Sequence, residues 1–221
     1  MSFAEIEARA WEKHGGREAV EAMLSQPKSS SELAAVPIDR YLAEMARRIF
    51  CSGFVWKVVD AKWPGFEEAF HGFDPGTIAM MPDEELDSLL SDKRIIRHGT
   101  KIRAVQENAV FLLDLQREHG SAAQFFADWP VEDIVGLWTL LKKRGSRLGG
   151  NTGQYFLRFI GKDTFILSRD VVAVLMRTGV IDKAPTSQKA LRQVQDQFNE
   201  WRLETGRPLC QLSRLAALSV G

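Results

Sequence analysis

Apolar residues recur at steps of three and four along most of this chain. Between positions 38 and 50, Ile38, Leu42, Met45, Ala46, Ile49 and Phe50 draw one stripe, with Arg40, Glu44 and Arg47 outside it. That spacing predicts an amphipathic helix. It returns at 102–115, 131–141, 171–176 and 191–203, so the pattern as a whole predicts an all-α fold. Thr164-Phe165-Ile166-Leu167 is the one place where a short strand competes, and a buried extended linker fits it equally well.

Punctuation supports the helices. Asp74-Pro75 supplies a capping oxygen followed by proline at the first helical position, where its missing N–H costs nothing. Pro130, Pro185 and Pro208 precede periodic segments, and Gly145, Gly179 and Gly206 follow them, where a left-handed cap needs no Cβ. Gln26-Pro27-Lys28-Ser29-Ser30-Ser31 reads as a connection. It divides an N-terminal helical arm, 1–30, from a body at 31–221.

Composition narrows the classes. Of 221 residues 45% are hydrophobic and 26% charged, ordinary values for a globular protein. Lys+Arg and Asp+Glu both number 29, so any nucleic-acid site must be a local basic patch. The two cysteines, Cys51 and Cys210, lie in apolar helical contexts and make no disulfide framework, which suits a reducing cytoplasm. The N-terminus has no secretory pattern, and no run approaches the roughly 18 apolar residues of a membrane span.

One basic, glycine-rich turn stands out. Leu140-Leu141-Lys142-Lys143-Arg144-Gly145-Ser146-Arg147-Leu148-Gly149-Gly150-Asn151-Thr152 leads from one predicted helix into Tyr155-Phe156-Leu157 and Phe159-Ile160. Glycines let backbone N–H groups approach an anion, and the next helix adds the positive end of its dipole. Lys142, Lys143, Arg144 and Arg147 supply charge for a phosphate; a solvated basic face is the plainer reading.

Upstream lie Gly53-Phe54-Val55-Trp56, then Phe70-His71-Gly72-Phe73-Asp74-Pro75, then Ile95-Ile96-Arg97-His98 with Lys101-Ile102 and Asn108-Ala109. In order and spacing this succession resembles the 3-methyladenine DNA glycosylase I family, of the helix-hairpin-helix DNA glycosylase superfamily. Family-level likeness covers roughly half the chain, 49–152, with looser likeness to the end. The resemblance implies a two-lobed helical fold with a shared cleft. It implies a monofunctional enzyme of base-excision repair that hydrolyses the bond between an alkylated purine and deoxyribose. Its partner is double-stranded DNA carrying alkylated bases, with no membrane, protein partner or cofactor.

Residue by residue, Trp56 matches the tryptophan that stacks the base, although a core role is the plain alternative. Lys143, Arg147, Gly149, Gly150, Asn151 and Thr152 match the phosphate-binding hairpin. Two departures follow. Arg48 stands where the family has its pocket glutamate, and Ser168 fills the slot of the superfamily's catalytic aspartate. Asp170, two residues on, is the first choice for a catalytic carboxylate, with Glu44 the second. Each has a structural alternative: Ser168 or Asp170 as a helix cap, and Glu44 as the ion-pair partner of Arg48 one turn later. The family's zinc-binding cysteines and histidines have no counterparts beyond His14 and Cys210, so no metal is expected, and packing around Trp11 is expected to replace it. Phe198, Trp201 and Leu203 read as core. A non-catalytic DNA-damage-binding protein of the same fold is the alternative function, and a helical protein-interaction domain a third.

Overall fold

The computed structural model describes residues 2–220. Every regular element among them is helical, α or 3₁₀, and none is a strand. No helix among the described residues is long and apolar enough to cross a membrane. The chain divides into two compact units: residues up to Lys28, Trp129–Leu137 and the chain from Gly161 onward form one, and Ser29–Asp128 with Trp138–Ile160 form the other.

The second unit is organised on the helix Ile38–Cys51, whose stripe buries Tyr41, Leu42, Met45, Ile49 and Phe50. Asp39 in its first turn and Arg48 in its last complement the helix dipole. The helix stops where Ser52 becomes extended and Gly53 turns to φ 76°. Gly99–His119 packs along it and along the short helix Pro75–Ala79, and Asn151–Ile160 also packs against it. Tyr41 stacks on Phe126 at 5.4 Å and donates to Leu33 O at 2.9 Å, and burial pushes its phenol pKa up to about 12. Asp74 caps Pro75–Ala79 as its position predicts, accepting from Thr77 N at 2.7 Å. Within the 26–31 stretch, Ser29 and Glu32 form a reciprocal capping box for the helix Ser30–Ala34.

The first unit packs Phe3–Lys13 and Arg169–Arg177 against Leu209–Leu218. Its aromatic core is a stack of Phe165 on Phe198 at 4.2 Å, continued by Trp201 and then Phe3. Thr164–Leu167 is therefore an extended segment that delivers Phe165, not a strand. Phe3, Ile6 and Ala10 anchor the N-terminal helix, while Trp11 stays only partly buried with Arg17 over its ring. Leu203, expected in the core, is 85% exposed: it lies off the face that buries Val194, Phe198 and Trp201. Asp163 accepts from Leu209 N and Cys210 N at 3.0 and 2.8 Å, fixing the start of the last helix.

Candidate functional site

Trp56 opens the helix Trp56–Ala61 directly after the Gly53 turn and remains 38% exposed. Its indole meets Tyr155 edge-on at 5.1 Å and Phe159 at 5.7 Å, both from Asn151–Ile160. The three rings form an open aromatic group in the second unit. Into it comes Arg48, only 5% exposed, with its guanidinium carbon 4.1 Å from the Phe159 centroid and 4.8 Å from that of Trp56. Such contacts hold a cation through the ring quadrupoles. Tyr155 and Phe159 were not singled out as site residues in the sequence. They sit four apart on one helix face, but that face meets Trp56 only after about a hundred residues of intervening fold.

Glu44 lies one turn before Arg48, and its Oε1 is 2.7 Å from Arg48 Nε. The ion-pair alternative for Glu44 is thus present, in the same group of side chains as Trp56. Burial pushes the Glu44 carboxyl above its usual range, against the pull of Arg48 and Arg47.

The approach to Trp56 is held from below by Lys101. Its ammonium donates to Phe50 O at 3.2 Å and Ser52 O at 2.5 Å, and lies 4.5 Å from the Phe54 ring centroid. At 2% exposure Lys101 presents no amine to solvent. Burial first, and the charge of Arg147 second, lower its pKa.

The hairpin takes the form its glycines predict, with a different division of labour. The helix Ile134–Arg144 ends, the chain turns, and Asn151–Ile160 begins with Asn151 exposed and Thr152 half-buried. Gly150 adopts φ 58°, as does the non-glycine Arg147. Gly145 is not left-handed; a Cβ there would lie 2.8 Å from Leu141 O, so close approach is its reason. Gly153 is tighter still, with Leu148 O 2.3 Å from where its Cβ would be. Asn108 pins the turn, its Oδ1 accepting from Ser146 N and its Nδ2 donating to Ser146 O, both at 2.9 Å. Lys142, Lys143 and Arg147 are exposed. Arg144 is not available to a phosphate as expected: Glu118 holds both its terminal nitrogens at 2.7 Å.

Ser168 and Asp170 lie in the first unit. Ser168 caps Arg169–Arg177, accepting from Val171 N at 3.3 Å, which is the structural alternative the sequence offered. Asp170 is exposed in the first turn of the same helix. Among the described residues no group of three His, Cys, Asp or Glu side chains is placed to hold a metal ion.

Residues 39–155 match the model of the methyladenine glycosylase family. The DNA-3-methyladenine glycosylase of Haemophilus influenzae is 35% identical over 129 residues, covering 50% of this chain and 70% of that protein. DNA-3-methyladenine glycosylase 1 of Escherichia coli is 36% identical over 66 residues, 30% of this chain and 35% of that one. Among solved structures, the 3-methyladenine DNA glycosylase I of Staphylococcus aureus superposes with a TM-score of 0.51 at 24% identity, over 62% of this chain and 80% of its own. A variant 3-methyladenine DNA glycosylase I in complex with 3-methyladenine gives 0.52 at 23% identity, over 59% and 81%. These two likenesses speak to the all-helical fold. The family match spans the Trp56 turn, Lys101, Asn108 and the hairpin.

Proposed function

The chain belongs to the methyladenine glycosylase family, and from that premise we propose that it hydrolyses the N-glycosidic bond of alkylated purines in double-stranded DNA, as a monofunctional enzyme of base-excision repair. The observation that carries the reading is the open group of Trp56, Tyr155 and Phe159, of which Trp56 and Tyr155 lie within the matched region. An enzyme that removes a base from a duplex must first turn the nucleotide out and stack its base on a flat surface. Trp56 and Phe159 are the exposed rings of that surface, and Trp56 carries the larger one.

Bond cleavage leaves the sugar cation-like, so a carboxylate lowers the barrier by charge stabilisation or by orienting water. Glu44 is assigned this part on its place beside Arg48. Asp170 is the competing assignment, supported by its place after the Ser168 slot. The hydrolysis needs no amine nucleophile, and Lys101 is enclosed and committed to two carbonyls. The test is release of free base from alkylated duplex, followed by chromatography, for wild type, Glu44→Gln and Asp170→Asn. A drop of about tenfold or more in Glu44→Gln, with Asp170→Asn at the wild-type rate, is expected. The reverse result transfers the role to Asp170.

The hairpin holds backbone phosphate. Gly149 and Gly150 keep the turn open, the N-terminus of Asn151–Ile160 with Thr152 offers donors, and Lys143 and Arg147 supply charge. Arg147→Gly is the clean probe, because glycine accepts φ 58° and only the charge is lost. Each of Lys143→Ala and Arg147→Gly should weaken binding of any duplex alike and flatten log Kd against log salt by about one contact. Unchanged slopes in both variants move the phosphate site elsewhere.

One observation favours a second reading, a non-catalytic DNA-damage-binding protein: a buried arginine lies against the rings that a base must contact. Persistent binding of alkylated duplex without release of any base selects it.

A further inference from the structure

The Arg48 side chain is enclosed yet unsatisfied. Its polar contact is with Glu44, made through Nε, and that contact lacks hydrogen-bond geometry. Nε is buried, whereas Nη1 and Nη2, which make no hydrogen bond to the described residues, hold the little exposure that the side chain keeps. A guanidinium carries five donors and no acceptor, and buried donors of this kind are ordinarily paired. Here the unpaired edge is set among Trp56 and Phe159, the rings that a flat ligand needs.

We propose that Arg48 reads the group at position 6 of the extruded purine, so that the site takes 6-oxopurines, N3-alkylated guanine among them, ahead of 6-aminopurines. The inference rests on the glycosylase reading and names its substrate class. A 6-oxopurine offers O6 as an acceptor with N7 beside it, the pair that arginine grips with two parallel N–H groups. A 6-aminopurine turns two amine hydrogens toward the same place, and arginine cannot accept them. The choice is made on the edge that carries O6 and N7, where the two purine classes differ only in the group at position 6. Glu44 approaches Arg48 through Nε, leaving the fork of Nη1 and Nη2 to the ligand.

Duplex DNA treated with a methylating agent carries both 3-methyladenine and 3-methylguanine. Both are alkylated at N3, so they share the activating charge and differ at position 6. The full chain is incubated with this DNA, and each free base is quantified by chromatography against its abundance. Wild type is expected to release 3-methylguanine about tenfold faster or more. Arg48→Gln, whose amide both donates and accepts, should bring the ratio near one. Equal release, or faster release of 3-methyladenine, by wild type overturns the proposal, and this arm does not depend on how the variant folds. If no base is released, the catalytic reading fails, and calorimetric titration with the two free bases decides the recognition. Tighter binding of 3-methylguanine by about tenfold sustains the proposal; equal or absent binding of both overturns it.

Discussion

Trp56→Ala is expected to lower the rate of base release from alkylated duplex by about a hundredfold, while the protein stays folded. Stacking on an aromatic side chain is worth about 1–3 kcal/mol per base by alanine substitution. Trp56 also forms one wall for Arg48, so its loss releases the group that meets the edge of the base. Stability should fall little by comparison. The indole is 38% exposed, begins its helix and carries no hydrogen bond for the core. A cost of about 1–2 kcal/mol lowers Tm by several degrees in a chain of this size. Trp56→Phe keeps a flat ring and should retain release within about tenfold of wild type. Release undiminished in Trp56→Ala, at a temperature where circular dichroism shows native helix, takes Trp56 out of the mechanism.

What the sequence made legible follows from range. The helix spacing of 38–50 and the cap at Asp74 are set by neighbours within one turn, and both appear where expected. The hairpin glycines are local too, though Gly145 serves close approach where a left-handed cap was expected, a difference that depends on how near Leu141 O lies. Long-range pairing was hidden. Arg144 in a basic run looks available until Glu118, 26 residues away, takes its fork. Asn108 gave no sign that it pins Ser146, and Tyr155 and Phe159 gave none that they face Trp56. Leu203 and Trp11 err in the opposite sense. Both are apolar residues in helical runs, but each lies off the face that its neighbours bury. Arg48 is the instructive case. By type it belongs on a surface, yet it is buried beside rings supplied by two other segments. A departure from a family's expected residue is visible in sequence; what the new side chain faces is visible only in the fold.

Lys101→Met should be the most damaging single substitution for the fold around the site. The ammonium ties Phe50 O and Ser52 O, the carbonyls where Ile38–Cys51 ends and the chain turns toward Trp56. Methionine fills the space and removes every donor. The buried Phe50 O left without a partner costs about 1–3 kcal/mol and Ser52 O, on an exposed residue, less, offset in part because a charge no longer has to be desolvated. A net loss of about 1–3 kcal/mol corresponds to a fall in Tm of several degrees. Arginine is no remedy, since its planar fork cannot direct one small head at both carbonyls within a 2% exposed site. The pH dependence separates charge from tether. The folded-state pKa of Lys101 lies below the unfolded 10.5. Between those values the unfolded chain binds more protons, so linkage makes the lysine's contribution rise with pH. The neutral amine keeps two N–H donors and can still serve both carbonyls. The Tm gap between wild type and Lys101→Met should therefore widen as pH climbs toward 10.5, and a gap that closes there contradicts the desolvation account. In the folded variant at low temperature, base release should fall about tenfold or more, because an untethered turn no longer fixes the Trp56 ring. Wild-type release from that folded variant confines Lys101 to stability.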